Sequence, residues 1–104
     1  MYKFKKNKYE DSYAFLWDNT DETLEEVRDY LKEVKGEYFE ACRSWNDETQ
    51  KNDGDTLCIS ERTGTGVMTS FYRLNEYVVH VENGYFHGYK KLELERKNIV
   101  LEKI

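Results

Sequence analysis

The chain has 104 residues, 38% of them hydrophobic and 15% aromatic, and a formal net charge of −5. That length supports one modest core, expected as a single domain over 1–104, and nine Tyr, five Phe and two Trp must supply much of its buried area. No apolar run approaches the roughly 18 residues that cross a bilayer, and Met1-Tyr2-Lys3-Phe4-Lys5-Lys6 lacks the apolar stretch of a signal peptide, so a cytoplasmic protein without a membrane span is expected.

Along the chain, Tyr13-Ala14-Phe15-Leu16-Trp17 is an apolar, aromatic run halted by the turn and helix-capping residues Asp18-Asn19-Thr20, which predicts a strand entering a helix. From Asp21 to Lys35 the apolar positions Leu24, Val27, Leu31 and Val34 recur at helical spacing and form one stripe. Acidic residues in its first turn suit the helix dipole, Thr23 and Glu26 have capping-box spacing, and Gly36 stands where a C-terminal cap belongs. Tyr38 to Trp45 reads as a strand, followed by a polar, glycine-containing loop from Asn46 to Asp55 that is expected to be mobile. Thr56 to Glu61 and Val67 to Tyr72 are β-rich runs joined by Arg62-Thr63-Gly64-Thr65-Gly66, a hairpin connection. A second hairpin is predicted from Tyr77-Val78-Val79-His80-Val81 and Phe86-His87-Gly88-Tyr89, with a two-residue turn at Asn83-Gly84. Lys90 to Arg96 reads as a helical turn and Asn98 to Ile104 as a closing strand. These elements predict an α+β fold: a curved antiparallel sheet of about five or six strands, with one main amphipathic helix packed on one face.

A two-residue turn at Asn83-Gly84 fixes the register of the second hairpin, pairing Val81 with Phe86, His80 with His87 and Val78 with Tyr89. Alternation then sends Tyr77, Val79, Val81 and Phe86 to the core and Val78, His80, Glu82, Tyr85, His87 and Tyr89 to a wet face. Facing imidazoles with Glu82 nearby are the sharpest candidate for a metal such as zinc, although structural zinc sites use more ligands, and no cofactor is expected. A wet face of Tyr and His also suits partner binding, because Tyr offers a large contact area and a polar tip.

Residues 18 to 40 hold nine acids against Arg28, Lys32 and Lys35, so this segment alone carries a charge of −6. Such a block disfavours direct nucleic-acid binding, which needs clustered Lys and Arg, and suits a basic protein partner. Asp21, Glu22, Glu25, Glu26, Asp29 and Glu33 are the acidic candidates for that contact, beside Tyr85, Tyr89, His80 and His87 on the predicted wet face. No GxSxG, P-loop, CxxC pair or HExxH occurs, so no enzyme is expected. Cys42 and Cys58 are expected to be reduced thiols.

The Lys-rich start Tyr2-Lys3-Phe4-Lys5-Lys6, then Ala14-Phe15-Leu16-Trp17-Asp18, then Asn75-Glu76-Tyr77-Val78-Val79 and Gly84-Tyr85-Phe86, resemble the PGDYG-type domain of small phage and prophage proteins. Leu74-Asn75-Glu76-Tyr77-Val78 stands where that family has Pro-Gly-Asp-Tyr-Gly, and the chain has no proline. The resemblance implies a phage or mobile-element origin and a compact β-rich fold, and carries over no catalytic residue. The resulting expectation is a non-enzymatic binding protein that inhibits a host defence component, as anti-CRISPR proteins do, by presenting acidic side chains to a basic nucleic-acid-binding host protein such as a CRISPR effector. The alternatives are an accessory phage protein that self-associates as a homodimer through exposed strand edges, and a metal or ligand binder using His80, His87 and Glu82.

Overall fold

The computed structural model describes residues 2–6, 13–35, 38–80, 86–97 and 100–103. In chain order these form β1 (Tyr2–Lys6), β2 (Tyr13–Leu16), α1 (Asp21–Lys35), β3 (Phe39–Arg43), β4 (Leu57–Thr63), β5 (Gly66–Tyr72), β6 (Tyr77–His80), β7 (Phe86–Tyr89), α2 (Lys91–Arg96) and β8 (Val100–Lys103). The protein is mixed α+β with antiparallel pairing throughout, as its sequence predicts. In place of the single expected sheet there are two, one of five strands in the order β7-β6-β2-β1-β8 and one of three in the order β3-β4-β5.

Contacts divide the chain into two compact units, Met1–Trp17 with Asn75–Ile104, and Asp18–Leu74. The first unit holds the five-stranded sheet and α2. Its strands β2 and β6 pair from Tyr13↔His80 to Leu16↔Tyr77, and the ladder runs one step further, where Trp17 N–H donates to Glu76 C=O at 3.0 Å. Asn75 N–H then donates to Trp17 C=O at 2.8 Å, with Asn75 in the left-handed region at φ 67°, a conformation Asn tolerates. The chain therefore leaves and re-enters this unit at one clamped point, and the second unit is an excursion between two neighbouring strands.

Ala14 and Val79 form a buried cluster in the first unit, with Tyr77, Tyr89 and Leu101 packed against it. Phe15, Trp17, Val78 and Leu94 are buried as well. Consecutive residues Val78 and Val79 are both fully buried although alternation sends them to opposite faces, so the wet face expected of β6 does not exist at Val78. A strand between two neighbours and buried on both sides reads as a continuous apolar run, which is what Tyr77-Val78-Val79 is.

In the second unit α1 runs over the predicted residues and buries Leu24, Val27 and Leu31 of the predicted stripe, with Tyr30 added. The Val34 side chain lies outside those described, as does Gly36. The N-cap is Thr20, the last of the predicted capping residues Asp18-Asn19-Thr20, and the Thr23–Glu26 spacing is not the cap: Thr20 Oγ1 accepts from Thr23 N–H at 3.2 Å while Thr20 C=O accepts from Leu24 N–H at 3.1 Å. Asp18 Oδ1 accepts from both the amide and the hydroxyl of Thr20, at 3.1 and 2.7 Å, and so orients the cap. Helix α1 packs along β3, where Arg28 Nε donates to Ala41 C=O at 2.9 Å. Register puts Ala41, Ile59, Leu57 and Tyr72 on one face of the three-stranded sheet, and all four are buried.

The segment from Asn46 to Asp55, expected to be mobile, is instead tied down. Asn46 and Lys51 form a β-bridge, Thr49 Oγ1 donates to Asp53 at 2.7 Å, and Asn52 Nδ2 donates to Arg43 C=O at 3.1 Å. Gly54 N–H donates to Ser44 C=O at 2.9 Å, an approach so close that a Cβ on Gly54 would stand 2.1 Å from Ser44 Oγ. This glycine serves contact and not flexibility.

Candidate protein-binding surface

The predicted β4–β5 hairpin turns at Gly64-Thr65, with Thr63 opposite Gly66. Thr63 Oγ1 donates to Gly66 C=O at 3.1 Å and accepts from Thr65 N–H at 3.3 Å, which fastens the turn. The strand that follows, Gly66-Val67-Met68-Thr69-Ser70-Phe71-Tyr72, has the β-branched and aromatic residues that favour extended backbone and contains no charge.

This strand closes one side of its sheet: among the described residues β5 pairs only with β4. Six consecutive residues, Gly66 to Phe71, are exposed, so neither face of the strand is covered. Val67, Met68 and Phe71 are 65%, 64% and 66% exposed. An edge strand presents a row of unsatisfied backbone N–H and C=O groups, and natural proteins usually blunt such edges with Lys, Pro or a bulge. None of these occurs from Thr63 to Tyr72, and the β4–β5 ladder runs without a register shift. The predicted hairpin thus carries an exposed, uncharged edge strand, and the signal for it was the absence of charge in residues 63–72.

The acidic residues of α1 stand where the helical stripe predicts. Asp21, Glu22, Glu25, Asp29 and Glu33 are exposed and Glu26 is partly buried. Asp21 bridges to Arg43 at 2.9 Å and Glu25 to Arg28 at 3.1 Å. A cleft of about 670 Å³ lies between α1 and β3, lined by Glu25, Arg28, Asp29, Lys32 and Phe39 among others. Charges of both signs border it, so it selects no ion class by field alone.

The histidine face is where prediction and structure part. Register pairs His80 with Phe86 and Val79 with His87, one residue out of step with the predicted His80–His87 pair. Positions 77, 79, 87 and 89 therefore share one face and 78, 80, 86 and 88 the other, which puts His80 and His87 on opposite sides. Partner numbers sum to 166 (80 + 86) where a two-residue turn at Asn83-Gly84 with an unbroken ladder requires 167 (83 + 84). The turn itself, with Glu82 and Tyr85, lies outside the described residues, as does the His80 side chain. Exposed His87 stacks beside Tyr89 at 6.1 Å between ring centroids, and Lys97 Nζ sits 5.7 Å from the centre of the Tyr89 ring. Tyr89 is partly buried against the Ala14–Val79 cluster, so it is more core than contact surface. Among the described residues no group of three or more His, Cys, Asp or Glu could hold a metal ion.

No helix among the described residues is long and apolar enough to cross a membrane. The chain matches no family model, no curated protein and no solved structure.

Proposed function

We propose that this protein is a non-catalytic binding module that works by strand pairing at the β5 edge, and that its first partner is a second copy of itself. The observation that carries this is six exposed residues in succession on an uncharged edge strand. An antiparallel copy centred on Thr69 would set Val67 against Phe71 of the partner subunit and Thr69 against its own equivalent. Aromatic–β-branched and Thr–Thr cross-strand pairs are both favourable, at roughly 0.2 to 1 kcal/mol each. Two chains of net charge −5 repel overall, but along residues 63–72 they meet without a single like-charged pair. The joined sheet would have six strands, and the two-fold operation closes the assembly without leaving the edge free.

Sedimentation velocity over a concentration series spanning about 1 μM to 1 mM tests this, since a single strand pair makes a small, weak interface. The wild type shifts from monomer to dimer, and Thr69→Lys, which points one positive charge from each copy at the centre, stays monomeric with an unchanged fold by circular dichroism. A wild type that stays monomeric throughout, or a Thr69→Lys dimer, refutes it.

A second reading rests on exposed Glu22, Glu25, Asp29 and Glu33 on α1. This face would dock on a basic host surface, the anti-defence reading that the −6 charge of residues 18 to 40 motivates. Salt-sensitive capture by a purified CRISPR effector at low ionic strength, lost on Glu22→Lys/Asp29→Lys, supports this reading; no capture at low salt ends it.

A further inference from the structure

Strands β3 and β4 bring two residues from separate parts of the chain face to face: Cys42 pairs directly with Cys58. Both are free thiols, Cys58 buried and Cys42 partly so. The hydrogen-bond parity of the ladder can be read from its end. Ser44 N–H donates to Thr56 C=O at 2.8 Å, and that pair lies two residues beyond the cysteines along both strands. Cys42 and Cys58 therefore occupy a hydrogen-bonded pair, where Cα atoms stand about 5.5 Å apart. That separation is within the range a disulfide accepts, but Cβ atoms in such pairs are about 5 Å apart and must draw in to roughly 3.8 Å for the bond to close. A disulfide here can form and is strained, and strained disulfides are the readily reduced ones.

Cys42 is the more reachable of the two, being only partly buried. Register puts both on the sheet face shared by Glu40, Ser60, Thr69 and Phe71, opposite the face that holds buried Ala41, Ile59, Leu57 and Tyr72. Glu40, Thr69 and Phe71 on that outer face are exposed. The Cys58 thiol is pushed up by its burial and further by the neighbouring Cys42.

We infer that Cys42 and Cys58 are a reversible dithiol–disulfide pair that exchanges with small disulfides of the glutathione class. The more accessible Cys42, as thiolate, attacks one sulfur of glutathione disulfide. That forms a Cys42–glutathione mixed disulfide and releases one glutathione thiolate. Cys58 then loses its proton to solvent and attacks the Cys42 sulfur, which closes the cross-strand bond and expels the second glutathione. The protein gives up two electrons and two protons, and glutathione disulfide becomes two glutathione molecules. The bond would staple β3 to β4 beneath the Asn46–Asp55 excursion and beside Phe71, the partner of Cys58 in β5. This inference is independent of the assembly proposed above.

The test is titration of the full chain with glutathione disulfide, quenching with an alkylating reagent, and intact-mass analysis. The wild type is expected to lose both alkylatable thiols, carry no glutathione and regain both thiols on addition of excess reduced glutathione. Cys58→Ser and Cys58→Ala are expected to stop as stable Cys42–glutathione adducts, and Cys42→Ser to react at least about tenfold more slowly than wild type because its remaining thiol is buried. A wild type that keeps both thiols, accumulates one or two glutathiones without closing, or links two chains instead of one, overturns the inference.

Discussion

Arg43 offers the sharpest test of how the second unit is held. Its Nε donates to Asn19 Oδ1 at 2.8 Å and its terminal nitrogens to Asn19 C=O at 3.2 Å and Asp21 Oδ1 at 2.9 Å. One guanidinium on β3 thereby fixes the residue at φ 60° that starts the turn into α1. The three contacts differ in weight, because the Arg43 side chain is 18% exposed whereas that of Asp21 is 86% exposed. An ion pair to a carboxylate so wet contributes at most about 0.5 kcal/mol. Hydrogen bonds from a charged donor contribute about 1.5 to 3 kcal/mol each when desolvated, and the two to partly buried Asn19 together should supply roughly 2 to 3 kcal/mol. Arg43→Met keeps the aliphatic stem and removes only the donors. It should lower Tm by roughly 8 to 24 °C, since about 1 kcal/mol moves a domain of this size by 4 to 8 °C. Asp21→Asn should move it by only a few degrees. Thermal unfolding followed by circular dichroism on the two variants decides the matter. An Asp21→Asn loss as large as that of Arg43→Met would show that the ion pair, not the turn, is what Arg43 secures.

Other substitutions probe the remaining claims. Gly54→Ala drives a methyl to within 2.9 Å of Ser44 C=O as well as onto its hydroxyl, and should cost about 1 to 3 kcal/mol in urea unfolding, whereas Gly64→Ala, with open space around its Cα, should cost far less. Val78→Ala and Val79→Ala should each lose roughly 2 kcal/mol, because both are fully buried; a near-neutral Val78→Ala would restore a wet face to β6. Thr20→Ala should cost about 1 kcal/mol as a lost N-cap, against almost nothing for Thr65→Ala in the exposed hairpin turn. For Asp18, desolvation pushes the carboxyl up, but hydrogen bonds from Thr20 and Thr23 together outweigh it and hold the group below its ordinary value. A depressed carboxylate stabilises the fold above its unfolded value of about 3.9 and loses that contribution as pH falls through the lower folded value. Urea unfolding at pH 7 and below about pH 4 should therefore show wild type converging on Asp18→Asn in acid; a gap that widens there would reverse the sign of the argument.

What local chemistry could establish, it did: the α1 stripe, the Gly64-Thr65 hairpin, the short α2 and the closing strand are each encoded within about a dozen neighbouring residues. Periodicity and turn residues act over that range, so they read directly from the chain. The fold class follows from them. Of the two capping signals the sequence offers, Asp18-Asn19-Thr20 and Thr23 with Glu26, the structure uses the first, because only the position of the first helical turn distinguishes them.

Whatever depends on pairing between distant segments, the tertiary structure alone decided. Side chains on a strand alternate with a period of two, so a shift of one residue in the β6–β7 ladder exchanged the faces of His87 and Tyr89 while the two strands still pair antiparallel. Cys42 and Cys58 have nothing in their own neighbourhoods to join them, and become partners only because β3 and β4 pair in one particular register. The division into two sheets, and with it the exposure of β5, likewise depends on which strands find neighbours, and that is settled by packing over the whole chain.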